Sequence, residues 1–257
     1  MDLYSIYIPT LFIWIFVGII VFFVLFFITA PYGRHANQKS RVWGPWMSGK
    51  YAFLVMELPG VILPLTFVAL SSPSLPILFY LLLWMIHYIN RVFIMQLRKQ
   101  SSNKNMPLII ALMASTFQFV NCYLVWFGMC FVDRERFDNS VFLRAHTYIG
   151  ALIFFTGFFG NVRSDEILLH LRKPGDNNYY IPHGFLFEYV SSPNYFCEIL
   201  EWFGFAVSTG FYPASLVFFI WTGANLAPRA ISHHKWYKQK FGSKYPPNRK
   251  ALIPFIV

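Results

Sequence analysis

The sequence predicts an all-α fold, a polytopic membrane protein with seven transmembrane helices around a cofactor and substrate cavity. Three observations support this prediction. First, 56% of the 257 residues are hydrophobic and only 12% are charged, which leaves too little polar surface to cover a soluble domain. Second, long apolar runs recur along the chain, and third, the basic residues between them are unevenly distributed. Since no internal repeat or linker interrupts the pattern, residues 1–257 are expected to form a single membrane-embedded domain.

The first apolar run covers residues 6–28 and contains no charged residue. It is long enough to cross a hydrocarbon core of about 30 Å. Because no basic residues precede it, we interpret it as a retained span and not as a signal peptide. Six further runs cover residues 51–70, 75–97, 107–132, 145–162, 195–209 and 211–227. The last two are separated only by Thr209, Gly210 and Pro213, and the sixth is short for a full span.

The basic residues favour seven spans over six. With seven spans, 17 of the 21 Lys and Arg residues lie on the side of the C-terminus, whereas Arg134, Arg136 and Arg144 lie opposite and Arg91 lies inside a span. Six spans would place the basic tail on the wrong side under the positive-inside rule. We therefore expect a cytoplasmic C-terminus, in the endoplasmic reticulum membrane of a eukaryote or the inner membrane of a bacterium.

The net charge of +10 is explained by the membrane boundary alone. Basic residues that border spans meet anionic lipid headgroups there. Membrane lipid is therefore an expected partner, and nucleic acid is not.

Glu57 lies inside the second apolar run, flanked by Met56, Leu58 and Pro59. An ionisable side chain inside a membrane span costs a few kcal/mol, roughly, and typically faces a protein interior or a cavity. Glu57 is therefore the first candidate functional residue.

Other polar residues within or beside the runs recur four positions apart, which places them on one face of a helix. These sets are His87 with Arg91, Asn161 with Asp165, Asn194 with Glu198, and Arg229 with His233 and Tyr237. Tyr88 lies beside the first pair. We expect these faces to line one aqueous cavity that opens toward the cytoplasm.

The mixture of Arg with Asn, Asp and Glu favours a ligand with phosphates and hydroxyls, such as a nucleotide. No GxGxxG or GxxxxGK[ST] motif is present, so the helices themselves would have to bind it. The three cysteines form no CxxC motif, and the seven histidines form none of the boxes of a membrane di-iron oxidase. No metal site is therefore expected.

Short motifs in a fixed order extend along nearly the whole chain. They are APYGRH (30–35), WGP (43–45), MELPG (56–60), HYINR (87–91), NVRSDEIL (161–168), LRKPGD (171–176), YVSSPNYFCEILEW (189–202) and RAISHHKWYKQKFGSKYPPNRKALIPF (229–255). Together they resemble the steroid 5α-reductase family, the 3-oxo-5α-steroid 4-dehydrogenases. Phe53, Met56 and Ser232 differ from the residues frequent in that family. These differences bear on which steroid is preferred more than on which reaction is catalysed.

The resemblance implies an enzyme that uses NADPH to reduce the 4,5 carbon–carbon double bond of a 3-oxo-4-ene steroid, with hydride delivered to C5. It implies that Glu57 and Tyr88 are catalytic and hydrogen-bond the 3-keto oxygen. It also implies a set of cofactor-binding residues: Arg91, Asn161, Asp165, Arg172, Tyr179, Asn194, Glu198, Arg229, His233 and Tyr237.

Three other functions remain open at this point. A membrane trans-2-enoyl-CoA reductase has a similar C-terminal region, including the YPP segment at residues 245–247, and would also use NADPH. An isoprenylcysteine-type methyltransferase has related C-terminal features but would bind S-adenosylmethionine. A seven-helix receptor or transporter would use the same polar faces without catalysis. Glu57 together with Tyr88 favours the steroid reductase, since the methyltransferase and the receptor or transporter need no acid and phenol at a keto group.

Overall fold

The computed structural model describes residues 3–29, 33–35, 43–98, 105–172, 176 and 178–257. This part of the chain is mainly helical. The α-helices are α1 (Tyr4–Phe27), α2 (Gly49–Glu57), α3 (Pro59–Leu70), α4 (Leu75–Ile89), α5 (Met95–Arg98), α6 (Leu108–Cys122), α7 (Ala145–His170), α8 (Pro193–Ser208) and α9 (Pro213–Phe241). Two π-helical segments, Asn90–Ile94 and Tyr123–Val132, continue α4 and α6 without a break.

Helices α2 and α3 form one helical stretch that is interrupted at Leu58. Pro59 opens α3 and has no backbone N–H to continue the hydrogen bonds of α2, which at Leu58 still include the bond from Leu58 N to the Leu54 carbonyl oxygen at 2.9 Å. Leu58 itself keeps right-handed helical angles. Glu57 therefore ends α2 at the joint between two helical pieces.

A short antiparallel sheet, which the sequence did not predict, joins strands β1 (Trp46–Ser48) and β2 (Asn105–Pro107). Trp46 pairs with Pro107, and Ser48 pairs with Asn105. Since β1 leads into α2 and β2 into α6, the sheet fixes the starts of these two helices next to each other.

Four helical stretches are long and apolar enough to cross a membrane, judged by length and composition within the described residues. They are Tyr4–Phe27, Gly49–Leu70, Leu75–Arg98 and Leu108–Val132. They correspond to the first four predicted spans. Helix α8 has only 16 residues, and α7 and α9 carry polar and charged residues toward their C-terminal ends. An all-α membrane protein is thus supported, while a count of seven crossings stays a prediction.

The core is built around Trp84 on α4, which is fully buried. Its ring centroid lies 5.0 Å from those of Trp202 and Phe218, and 5.6 Å from those of Trp126 and Phe205. These aromatic rings come from α4, α8, α9 and the second π-helical segment. One aromatic cluster therefore holds four parts of the bundle together.

Helices α7 and α8 approach each other through glycines at their interface. A Cβ atom at Gly150 or Gly157 would collide with backbone atoms of α8, and one at Gly204 would collide with backbone atoms of α7. Small residues at such contacts let two main chains come close together. The polar residues on the two helices are thereby held at short range.

The C-terminal segment packs back onto the loop that precedes α8. Arg249 is buried and donates to the Pro182 carbonyl oxygen at 3.0 Å, and its Nη2 lies 3.7 Å from a Glu188 carboxylate oxygen. The backbone N–H of Gly184, with Arg249 adding to it, holds the pKa of Glu188 below its usual range. These contacts fasten the chain end to the segment that follows Arg172 and Tyr179.

Ser191 connects the same loop to α9. Its hydroxyl oxygen lies 2.5 Å from His234 Nδ1 and 2.6 Å from the Tyr245 hydroxyl oxygen. Burial raises the pKa of Tyr245, so its phenol stays protonated near neutral pH.

Candidate active site

Glu57 and Tyr88 lie on different helical stretches and are bridged by one amide. Gln118 on α6 donates from Nε2 to Tyr88 Oη at 2.7 Å and to Glu57 Oε2 at 3.2 Å. Tyr88 is 2% exposed and Gln118 is 5% exposed. The acid and the phenol that the sequence predicts as catalytic are thus neighbours of the same side chain.

Gly60, one turn after Glu57, makes room for the ring of Tyr88. A Cβ atom at this position would lie 2.6 Å from Cδ1 and 2.9 Å from Cζ of that ring, and closer still to Cε1. The Tyr88 ring also stacks on Trp84, with 5.1 Å between centroids. Trp84 in turn donates from Nε1 to the Gly60 carbonyl oxygen at 2.8 Å. The phenol is therefore held between α3 and the aromatic core.

Arg91 connects this pair to the polar residues of α8. Its Nε lies 3.6 Å from Glu57 Oε1, and its Nη1 lies 3.8 Å from Glu198 Oε2. The guanidinium carbon is 5.4 Å from the centre of the Phe53 ring. One cation thus contacts a candidate catalytic acid and a candidate cofactor-binding acid.

The polar faces of α7 and α8 meet each other. Asn161 donates to the Asn194 backbone carbonyl oxygen at 2.9 Å and reaches Glu198 Oε2 at 3.5 Å. Asn194 donates to Asp165 Oδ1 at 3.1 Å. The two predicted pairs, each made of residues four positions apart, therefore form one connected group. Asp165 lies buried within helix α7.

The predicted residues of α9 lie beside aromatic rings. The Arg229 guanidinium carbon lies 5.6 Å from the centre of the Tyr195 ring, and His233 lies 5.5 Å from the same ring centre. His35 stacks on His233 at 5.4 Å. Tyr195 follows Asn194 directly, so α9 meets the α7–α8 group there.

Arg172, Tyr179 and Tyr237 form the outer part of the set. The Arg172 guanidinium carbon lies 4.4 Å above the Tyr179 ring, which is 4.7 Å from the Trp236 ring. Arg34 lies over both Trp236 and Tyr237, at 5.1 and 4.6 Å. All twelve predicted site residues thus have described positions, on α2, on α4 and the π-helical segment after it, on α7, α8 and α9, and between α7 and α8.

His87 and Glu201 form a second buried polar pair, with 2.9 Å between His87 Nδ1 and Glu201 Oε1. Both side chains are almost fully enclosed, and Glu201 Oε2 has no hydrogen-bond partner among the described residues. The pair joins α4 to α8 close to Tyr88, because the rings of His87 and Tyr88 are 5.0 Å apart.

Sequence reasoning missed Gln118, Tyr195, Arg34 and His35 as site residues. Gln118 could have been noticed, since an amide inside an apolar helix needs a partner just as Glu57 does. Tyr195, Arg34 and His35 carried no such signal, because their role depends on which helices meet.

Comparisons with known proteins place the chain in one family. A family model described as "3-oxo-5-alpha-steroid 4-dehydrogenase" matches residues 104–257. The chain is 40% identical over 251 residues to "Steroid 5-alpha-reductase DET2" of Solanum lycopersicum, covering 92% of this chain and 95% of that protein. The chain belongs to the 3-oxo-5-alpha-steroid 4-dehydrogenase family.

Relatives in this family come from plants and animals. The chain is 39% identical over 242 residues to the protein of the same name from Arabidopsis thaliana, covering 91% of this chain and 90% of that protein. It is 38% identical over 232 residues to "3-oxo-5-alpha-steroid 4-dehydrogenase 1" of Homo sapiens, covering 88% and 85%. The resemblance predicted from the short motifs is confirmed, and with it the assignment to an oxidoreductase family.

Proposed function

We propose that the protein uses NADPH to reduce the 4,5 double bond of a 3-oxo-4-ene steroid to the 5α product. The observation that carries this proposal is the bridged pair of Glu57 and Tyr88, a carboxyl and a phenol side by side in an apolar bundle. Membership of the family and the names of the relatives support the substrate class.

The reaction requires stabilisation of an oxygen anion. Hydride addition at C5 of the enone moves an electron pair toward the 3-keto oxygen, and a proton is then added at C4. NADPH, when bound, supplies the hydride. Donors aimed at the oxygen lower the barrier, and each is typically worth about 3–4 kcal/mol. Tyr88 donates its phenol proton, and Glu57 donates when it carries a proton.

The donor set of the chain fits a dinucleotide phosphate. Arg91, Arg172 and Arg229 offer guanidinium forks for phosphate, and Asn161, Asp165, Asn194 and Glu198 offer partners for amide and ribose groups. Tyr179, His233 and Tyr237 add flat surfaces against which rings can stack.

Two further groups support the fit. Arg34 Nη1 and His35 Nε2 are buried and have no hydrogen-bond partner among the described residues. Burial and the neighbouring Arg34 lower the pKa of His35, so its ring is neutral at pH 7. A ligand with several acceptor oxygens would satisfy the unpaired guanidinium nitrogen.

The proposal includes the arrangement in the membrane. One domain of residues 1–257 crosses the bilayer seven times, with the N-terminus outside and the C-terminus in the cytoplasm, where NADPH would enter. The basic residues after α9 support this orientation by the positive-inside rule. The membrane is that of the endoplasmic reticulum in a eukaryote or the inner membrane in a bacterium.

The test is turnover by the purified protein in detergent, with NADPH and testosterone or progesterone. The 5α-reduced steroid is the expected product. Glu57→Gln and Tyr88→Phe should each lower kcat about 100-fold or more, while NADPH still binds.

Glu135→Gln and Tyr148→Phe make the same chemical changes at exposed positions and should leave kcat unchanged. Full turnover in both site variants would reject the assigned roles. Binding of S-adenosylmethionine in place of NADPH would support the methyltransferase, and reduction of an enoyl-CoA alone would support the other reductase.

A further inference from the structure

We infer that Gln118 is a positioning residue, which orients the protons of Tyr88 and Glu57 toward the ketone oxygen of the substrate. The inference rests on the proposed function. Its starting point is that the amide of Gln118 bonds both side chains through the same nitrogen, Nε2.

The direction of these bonds decides what the two partners can do. An amide NH2 group has two hydrogens, and here one points to Tyr88 Oη and the other to Glu57 Oε2. Tyr88 is therefore an acceptor toward Gln118, so its single hydroxyl hydrogen is free for another acceptor. A protonated Glu57 can likewise accept from Gln118 and still donate its own proton.

The opposite orientation of the amide would have the opposite effect. Gln118 Oε1 would then accept the phenol proton of Tyr88 and the acid proton of Glu57, leaving neither for the substrate. In the structure Nε2 faces both side chains, so both protons remain available to the substrate.

Accepting a hydrogen bond also makes Tyr88 a better donor. Hydrogen bonds in a chain polarise one another, and the effect is stronger in a region of low dielectric. Gln118, Tyr88 and a bound ketone would form such a chain, in which Nε2 donates to Oη and Oη donates to the substrate. Gln118 Oε1 is buried and has no hydrogen-bond partner among the described residues, so the side-chain contacts of this amide in that part of the chain are made by Nε2.

Gln118→Met and Gln118→Glu test the inference in the full-length protein in detergent. Gln118→Met keeps the length and removes both donors, so kcat should fall about tenfold while the Kd for NADPH stays within about twofold. Gln118→Glu replaces the donor by an acceptor, which would take the proton of Tyr88 and repel an ionised Glu57. Its kcat should fall about 100-fold at about pH 8.

The pH profile separates positioning from a structural role. In Gln118→Glu the introduced carboxyl regains a donor when it is protonated, so its kcat should rise relative to wild type as the pH falls from about 8 to about 5.5. The ratio of the kcat of Gln118→Met to that of wild type should stay constant over this pH range.

Asn121→Leu is the matched control, since Asn121 is a buried amide one turn further along α6 that bonds Trp14 and the Phe117 carbonyl oxygen. Its kcat should stay near that of wild type. Three results would each overturn the inference but not the proposed function. They are a wild-type kcat in Gln118→Met, an equal loss of kcat in Asn121→Leu, and a pH profile of kcat in Gln118→Glu that runs parallel to that of wild type. A wild-type protein that reduces no 3-oxo-4-ene steroid would overturn the proposed function together with it.

Discussion

Gly60→Ala should lower turnover, although in most helices the same change is favourable. Replacing Gly by Ala in a helix typically stabilises it by about 1 kcal/mol. At Gly60 the added Cβ would lie 2.6–2.9 Å from Cδ1 and Cζ of the Tyr88 ring, where carbon atoms prefer about 3.5–4.0 Å. The ring must therefore retreat by about 1 Å.

The ring has little room to move, because Trp84 stacks on Tyr88 and both side chains are buried. Overpacking of this kind typically costs about 1–3 kcal/mol of stability. A 1 Å displacement of a group at the reacting centre can cost about 100-fold in rate. We therefore expect kcat to fall by about that factor, and the unfolding temperature to fall as well.

Gly223→Ala is the control, since a Cβ there meets no atom within 4 Å and the residue also lies inside a helix. It should retain kcat and keep or raise the unfolding temperature. Both variants are compared by turnover of a 3-oxo-4-ene steroid and by thermal unfolding in the same detergent. If Gly60→Ala is as active and as stable as Gly223→Ala, the close contact with Tyr88 is not a constraint and the reasoning fails.

Two further predictions concern the outer part of the candidate site and the loop that precedes α8. Arg172→Gln should raise the Kd for NADPH about tenfold, equivalent to about 1.4 kcal/mol, whereas Arg163→Gln, an equal loss of charge at an exposed position of α7, should change it less than about twofold in a titration. The pKa of Glu188 is lower in the folded protein than in the unfolded chain, where it is about 4.3. The ionised Glu188 carboxylate therefore stabilises the folded protein above about pH 4.3, and this stabilisation is lost as the pH falls through the folded pKa. Hydrogen exchange of residues 183–190, corrected for intrinsic rates, should therefore accelerate below about pH 4.3 in wild type, and Glu188→Gln should remove this dependence; equal pH dependence in both would contradict it.

The sequence predicted the apolar helices well because membrane spans depend on local composition. The first four predicted runs coincide closely with the stretches long and apolar enough to cross a membrane. The four-residue spacing also predicted correctly that Asn161 shares a face with Asp165, and Asn194 with Glu198. The sequence analysis expected these faces to line one cavity, but it did not predict that they contact each other directly, because this contact depends on glycines that let α7 and α8 approach.

The remaining details depend on tertiary contacts that no local pattern encodes. Gln118 is recognisable as unusual in an apolar helix, but its bonds to Glu57 and Tyr88 follow from the packing of α6 against α2–α3 and α4. Periodicity also assumes regular α-helix, whereas Arg91 lies in a π-helical segment. The strands β1 and β2 are too short to give a recognisable alternation.

The glycine contacts between α7 and α8 restrict how a bulky lipid could reach the interior. Because the two backbones touch at Gly150, Gly157 and Gly204, sliding one helix along the other by a turn would drive neighbouring side chains into the other backbone. The two helices therefore behave as one rigid wall. Any transient opening is therefore expected away from the contact between α7 and α8.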